Sequence, residues 1–409
     1  MRIVMLNWRD TSHPEGGGSE RYVETVAAGL AAAGHDVTLF CAAYPGAARE
    51  ERRDGYRIVR RGGKLTVYAH AVRMLATGAL GRPDVVVDVQ NGVPFFSRLA
   101  VRCPVVVLVH HVHREQWGVV YGPAVARFGW WLESRVAPRL YRRSRYVTVS
   151  DVTRTELAAL GVGPGRVDVV HNGTAAAPAT TTHREATPRL CVLGRLVPHK
   201  RVEHALQVAA RLRPRRPDLR VSVIGDGWWS GRLVQTARQL GVDDITEFHG
   251  YVDERAKHDE LARSWLMLAP SVKEGWGLTV VEAAQHRVPT VGYRSAGGLA
   301  ESIVDGETGV LVDDLDGLTA AVDHLLADDD RRAALGAAAA VRAAGFTWEE
   351  TVLAWDRLLT EVSATAAGVR PVTLMNQRAG AGRTRVPARP LDVVRRPAAA
   401  EPALFFRQS

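Results

Sequence analysis

Two successive series of short β-branched runs, each alternating with helical patterns, constrain the fold of this chain more than any other feature. Such alternation marks parallel sheets joined by crossover helices. The first series predicts strands at Ile3–Leu6, Val37–Cys41, Val85–Val89, Val105–Val109, Tyr146–Val149 and Val167–Val170. The second predicts them at Leu190–Leu193, Val221–Ile224, Ile245–Phe248, Leu266–Leu268, Val288–Val291 and Val310–Val312. Two doubly wound α/β domains follow. Between them, Gly173–Pro188 (GTAAAPATTTHREATP) has no apolar periodicity and carries helix-breaking prolines, the pattern of a linker. Ligands of such sheets bind beyond the carboxyl ends of the strands, so two facing sheets place a site in the cleft between them.

A length of 409 residues suits two or three domains at about 150 residues each. With 46% hydrophobic and 24% charged residues the chain is not a mostly disordered, collagenous or disulfide-stapled one. Cys41, Cys103 and Cys191 lie far apart with no CxxC pair, which suggests neither a zinc site nor a disulfide framework. The apolar stretch of MRIVMLNWRD is too short for a secretory signal, and nothing approaches the roughly 18 apolar residues of a membrane span. The expectation is a cytoplasmic protein, at most peripheral at the inner face of a membrane. The net charge of +9 points to nucleic acid only until it is located. Residues 364–409 hold eight arginines against Asp392 and Glu401, so six of the nine charges lie in an Ala/Arg/Pro/Gly-rich segment expected to be a disordered basic tail. No nucleic-acid recognition motif accompanies it, and no nucleic-acid partner is predicted.

Polar residues just after the strands carry the chemistry. After the first strand, Gly16-Gly17-Gly18 precedes a helix through about Ala33, which allows close ligand approach to free amide groups. The G-x-G-x-x-G dinucleotide pattern fails, because Arg21 stands at its third glycine and Phe40-Cys41-Ala42-Ala43 offers no acid for a ribose. His110, His111 and His113 follow the strand ending at Val109. They have no metal-site spacing, and His111 and His113 would point apart if the strand continued. A single imidazole, His110, facing the cleft is the better reading; a buried, satisfied histidine is its rival. Arg195 and Lys200 come from one loop after a strand and suit a diphosphate, each charge-assisted contact contributing about 1.5–3 kcal/mol. Alone, a solvated basic loop explains them equally well. Asp314-Leu315-Asp316 has D-x-D form but reads as a helix start capped by Asp316, so no acidic motif for magnesium is evident. The strongest signal is Ser271-Val-Lys-Glu274-Gly-Trp-Gly277-Leu278-Thr279-Val-Val-Glu282. Its Gly-rich turn leads into a helix near Leu278, so both carboxylates can face one ligand while the first amides take phosphate oxygens.

EGWGLTVVE is an E-x7-E element, and with it the sequence resembles the retaining glycosyltransferases of family 4, whose fold is GT-B. GGGSERYV, VLVHHVHREQW, VVHNGT, GRLVPHK, VIGDG, FHGYV and GGLAESIVDGETGVLV follow in the family's order over residues 1 to about 362. The resemblance implies two Rossmann-like doubly wound domains facing a central cleft. These are an acceptor-side domain over 1–172, the linker 173–188, a nucleotide-sugar domain over 189–345 and a helix over 346–363 crossing back to the first domain. It also implies that Arg195 and Lys200 bind the donor diphosphate with the backbone of Gly277, Leu278 and Thr279. Glu274 would contact the donor sugar, Glu282 the ribose, and Gly250, Tyr251 and Val252 the nucleobase. The Gly16–Gly18 loop would close over the donor, and His110 would lie near the transferred sugar. The co-substrate is a GDP- or UDP-sugar, with no cofactor and no metal. In the mechanism the resemblance implies, the leaving diphosphate can itself accept the acceptor's proton, so neither glutamate need be a nucleophile.

Trp228 and Trp229 depart from the family's usual polar residues. In the acceptor half, Pro123–Arg135 with Arg139, Arg142, Arg143 and Arg145 combines aromatic and basic residues suited to an anionic lipid surface, or equally core tryptophans with solvated arginines. The expected function is transfer of a hexosyl unit to a glycan or lipid-linked acceptor in envelope or exopolysaccharide synthesis. The alternatives are a sugar-nucleotide hydrolase or epimerase on the same fold, or a non-catalytic sugar-nucleotide-binding partner.

Overall fold

The computed structural model describes residues 1–14 and 16–366; the predicted basic tail lies outside them from residue 367 onward. The first sheet is built from β1 (Arg2–Leu6), β2 (Asp36–Cys41), β3 (Glu50–Arg53), β4 (Tyr56–Arg60), β5 (Val85–Val89), β6 (Val105–Val109), β7 (Arg145–Thr148) and β8 (Val167–Val169). Its order is β3-β4-β2-β1-β5-β6-β7-β8, parallel except for the antiparallel β3–β4 pair. The second sheet holds β9 (Arg189–Leu193), β10 (Arg220–Ile224), β11 (Thr246–Gly250), β12 (Leu266–Ala269), β13 (Thr290–Tyr293) and β14 (Gly309–Val312), all parallel in the order β11-β10-β9-β12-β13-β14. Helices cover both faces of each sheet's central strands, which is why β5 and β6 read VVVDV and VVVLV and are buried at every position.

The sequence pattern missed β3 and β4. Glu50–Arg53 is entirely charged, so it shows no hydrophobic alternation. The hairpin signal was nonetheless present in Asp54-Gly55, whose positive φ angles of 47° and 85° make the tight turn.

In each sheet the chain runs one way from the first strand and then returns to continue on its other side. The resulting switch points lie between β1 and β5 and between β9 and β12. Crevices open at the carboxyl ends of such strand pairs. The first is bridged by Asn91 Nδ2 donating to Asn7 Oδ1 at 3.1 Å.

The last helix, Trp348–Ala366, packs on the first one, Gly18–Ala32, within the core that contains Ile3 and Met5. Trp355 is fully buried there and donates from Nε1 to Tyr22 Oη at 2.7 Å, while Tyr22 Oη donates to the Val170 carbonyl. Truncating such a tryptophan costs about 3–5 kcal/mol.

Candidate functional site

The loops after β9 and β12 meet at the second switch point. Arg195, Lys200, Ser271, Glu274 and Thr279 line one concave pocket there, together with the strand ends. Lys200 Nζ donates to Glu274 Oε1 at 2.5 Å, and Ser271 Oγ donates to the same oxygen at 2.7 Å. The Glu274 backbone is pinned from both sides, its N–H on the Ala296 carbonyl and its carbonyl on the Gly298 N–H. Arg195 is exposed and makes no ion pair among the described residues. The helix Leu278–Gln285 starts from Gly277 at φ 93°, a left-handed turn in which a Cβ would also press on Ser302 Oγ at 3.0 Å. A glycine is therefore required; the helix's leading amides have no intrahelical acceptor, and Thr279 in its first turn lines the pocket.

Glu282, one turn into that helix, accepts from Lys257 Nζ at 2.7 Å. Lys257 also reaches Glu254, and Glu254 pairs with Arg21 of the first domain at 3.1 Å. Arg21, the residue that spoiled the dinucleotide pattern, thus joins the glycine-loop helix to the second domain. The Arg21–Glu254 pair is exposed, so its worth is at most about 1 kcal/mol. Gly250 is tied to Gly225 by a hydrogen bond of 2.9 Å, which sets Tyr251, fully out in solvent, beside the loop bearing Trp228. Trp229 is half-buried against the second core and donates to Glu203, so it serves packing; Trp228 is exposed and meets Trp229 edge-on.

From the first domain come the glycine loop and His110. A Cβ at Gly16 would crowd three carbonyl oxygens at 3.0–3.1 Å, so this position serves the turn itself. Gly17 caps the helix and donates its N–H to Glu20 Oε2. Gly18 faces the other domain: a Cβ there would stand 3.5 Å from Leu278 Cδ1. His110 is buried, packs edge-on against Tyr22, and has an Nε2 with no hydrogen-bond partner among the described residues. Burial, helped by His113, pushes its pKa down to about 4, so the imidazole is neutral near pH 7. Its carbonyl oxygen lies 3.2 Å from where a Cβ on Gly275 would sit. The structure thus brings Gly18 and His110 against the Leu278 and Glu274 loops. Two further contacts close the cleft: Lys273 Nζ donates to Glu156 at 2.9 Å, and Glu301 accepts the amides of Asp151 and Val152 at 2.7 and 2.5 Å.

Because β6 stops at Val109, His111 and His113 do not alternate; their rings lie 4.2 Å apart, and His113 bonds Glu133. The one metal-compatible cluster among the described residues is Glu247, His249 and Glu260, away from the pocket. Arg189 bonds Glu247 there at 2.9 Å and Arg263 bonds Glu260 at 2.8 Å, so arginines already neutralise it. The cap of the Leu315–Ala327 helix is Asp314, accepting from Gly317 N, and not Asp316, which instead pairs with Arg211. Sequence reasoning did not single out Lys257 or Ser271; Ser271 sat within the quoted motif, whereas Lys257 belongs to a charged helix with no distinguishing signal.

Two family models match the chain: Glycosyltransferase Family 4 over residues 16–177 and Glycosyl transferases group 1 over residues 175–342. A GDP-mannose-dependent alpha-(1-6)-phosphatidylinositol monomannoside mannosyltransferase of Mycolicibacterium smegmatis is 30% identical over 350 residues, 80% of this chain and 90% of that protein. A D-inositol 3-phosphate glycosyltransferase of Kribbella flavida is 33% identical over 245 residues, 54% of this chain and 58% of that one. Among solved structures, sucrose-phosphate synthase from Thermosynechococcus elongatus superposes with a TM-score of 0.74 at 18% identity, over 89% of this chain and 99% of that one. Sheet topology, pocket and family matches agree, and the chain belongs to the group 1 glycosyltransferases of GT-B fold, with an N-terminal half of the family 4 type.

Proposed function

We propose that this glycosyltransferase is a retaining, metal-independent hexosyltransferase that moves a sugar from a GDP- or UDP-linked donor to a glycan or lipid-linked acceptor. Its place is on the cytoplasmic side, in envelope or exopolysaccharide synthesis. The observation that carries the reading is the single pocket lined by Arg195, Lys200, Ser271, Glu274 and Thr279. It combines two cations and a helix start with a carboxylate, the chemistry of a diphosphate joined to a sugar.

In this reading Arg195, Lys200 and the amides of Leu278 and Thr279 hold the diphosphate. Glu274, whose orientation is set by Ser271 and Lys200, accepts hydrogen bonds from the sugar hydroxyls; Glu282 does so for the ribose. Gly250, Tyr251 and Val252 flank the base, and Gly16–Gly18 covers the donor. As the bond from the anomeric carbon to the phosphate oxygen breaks, negative charge grows on the leaving diphosphate, and the two cations stabilise it without a divalent ion. The acceptor oxygen bonds the anomeric carbon on the same face and gives its proton to the departing phosphate oxygen. Neutral His110 can donate or accept a hydrogen bond to the transferred sugar without adding charge. The relatives' use of GDP-mannose and of inositol phosphates supports an activated hexose and a polyol acceptor.

The test is incubation with GDP- and UDP-hexoses and candidate acceptors in EDTA, with the product's anomeric configuration read by NMR. The reading predicts acceptor-dependent release of nucleotide and a retained α-linkage. Release equally fast without acceptor identifies a hydrolase, and an inverted product or strict need for a divalent ion overturns the mechanism.

A further inference from the structure

The β3–β4 hairpin directs its inward charges at the segment that leads into the glycine loop. Along β3 the half-buried Glu51 and Arg53 alternate with the exposed Glu50 and Arg52, so Glu51 and Arg53 share one face of the sheet. The Arg53 guanidinium donates from Nη1 to Thr11 Oγ1 at 3.2 Å and to Glu24 Oε2 at 2.9 Å, and from Nη2 to Ser12 Oγ at 2.8 Å. Glu24, on the helix that follows the glycine loop, also accepts the Thr11 N–H at 2.5 Å and the Tyr56 hydroxyl at 2.7 Å. Asp10 accepts from Arg60 of β4 and from the Ser12 N–H at 2.9 Å. Asp10 and Arg60 are both buried, and Arg60 reaches Glu51 at 3.1 Å.

Both strands of the hairpin thus hold Asp10, Thr11 and Ser12, and the glycine turn is built on that segment. The carbonyl oxygens that stand 3.0–3.1 Å from a Cβ at Gly16 belong to Asp10, Thr11 and His13, and the Gly16 N–H donates to the His13 carbonyl at 2.8 Å. Two residues on, Gly18 meets Leu278 of the second domain. Buried charge pairs add little net stability over apolar residues of similar volume, because desolvation offsets their attraction. A guanidinium does fix geometry: its planar fork of donors holds two hydroxyls and two carboxylates at set angles around Arg53.

We propose that Arg53 is a positioning residue for the donor: through Thr11 and Ser12 it holds the glycine loop in its donor-covering conformation before the donor arrives. The inference rests on the reading in which Gly16–Gly18 covers the donor. Glycines lose more backbone freedom on ordering than other residues, so a loop of three glycines left unheld is ordered at the expense of donor affinity. Once the donor is bound, the loop occupies the same place with or without Arg53. Removing Arg53 therefore raises the donor KM and leaves kcat at saturating donor almost unchanged.

The test is steady-state nucleotide release by the full chain with GDP-mannose or UDP-glucose varied, together with hydrogen exchange of peptides spanning Thr11–Gly18 with and without the same donors. Arg53→Gln is expected to raise the donor KM about tenfold, with kcat within about twofold of wild type, and to speed exchange of the loop in the free protein. Thr11→Val/Ser12→Ala removes the loop's hydroxyls but keeps the Arg53–Glu24 ion pair, and should raise the donor KM about threefold or more with the same unchanged kcat. This second variant carries the test if Arg53→Gln melts well below wild type. Arg57→Gln, on the same hairpin but paired with the exposed Glu50, should leave the donor KM as it is. A donor KM unchanged in both loop variants, or a kcat that falls as far as KM rises, overturns the inference alone. Loop exchange that neither donor slows in wild type fails the cover itself, and the inference with it.

Discussion

Replacing Lys200 by methionine keeps the length of the side chain and removes its charge. Lys200 Nζ sits 2.5 Å from Glu274 Oε1 and lines the same pocket as Arg195. In the proposed reading, donor binding gives it a phosphate oxygen as a second partner. Losing one charge-assisted contact of about 1.5–3 kcal/mol to a leaving group whose charge grows in the transition state lowers kcat about 10- to 150-fold. The same change leaves Glu274, with an exposed fraction of only 14%, holding Ser271 as its remaining donor. Because the two side chains touch, their effects are not independent. The double variant Lys200→Met/Glu274→Gln should lose less than the product of the single losses, with a coupling of about 0.5–3 kcal/mol. The assay is nucleotide release at saturating donor and acceptor. A kcat for Lys200→Met equal to that of wild type, with folding intact, refutes the assignment of Lys200 to the leaving group.

Gly275→Ala places a methyl 3.2 Å from the His110 carbonyl oxygen, forcing the two halves of the cleft apart by a few tenths of an ångström; kcat should drop about tenfold, with a melting temperature close to wild type. Lys257→Met strands the partly buried Glu282 carboxylate and should destabilise by about 1–3 kcal/mol in urea unfolding, a loss that Glu282→Gln in the same chain relieves. His110 has its pKa lowered from 6.5 to about 4, so the unfolded chain binds the proton more readily. Its contribution to stability is complete above pH 6.5 and is lost as pH falls towards 4, by about 3 kcal/mol in all. Unfolding midpoints at pH 7 and pH 4.5 should therefore converge in His110→Asn relative to wild type, although His258, also held at about 4, keeps part of the slope.

The parallel core was legible because strands buried on both faces are near-continuous apolar runs; β6 and β12 are wholly apolar and β5 is interrupted only by Asp88. The β3–β4 hairpin was not, since Glu50–Arg53 is entirely charged, Tyr56–Arg60 breaks its apolar residues with two arginines, and the buried Arg60 is held by Asp10 from 50 positions away as well as by Glu51. The donor-side motif was legible because its chemistry is local: Glu274, Gly277 and Glu282 fall within one loop and helix. Lys257 was not, because its link to Glu282 spans 25 residues and depends on how two helices pack. Likewise the sequence grouped Trp130 with Trp131, and only the fold separates the core ring from the exposed one. The closing contacts from Lys273 and Glu301 join residues more than a hundred positions apart and have no sequence signature.

Thermal unfolding of the full chain against GDP, UDP and their hexose conjugates, in EDTA, tests the diphosphate pocket most directly. At 100 times its dissociation constant the cognate nucleotide should stabilise the fold by about 2.7 kcal/mol. The account predicts a shift selective for one base, insensitive to EDTA, and strongly reduced in Arg195→Ala/Lys200→Met. A full shift in that variant, or none with any nucleotide in a folded wild-type protein, would contradict it.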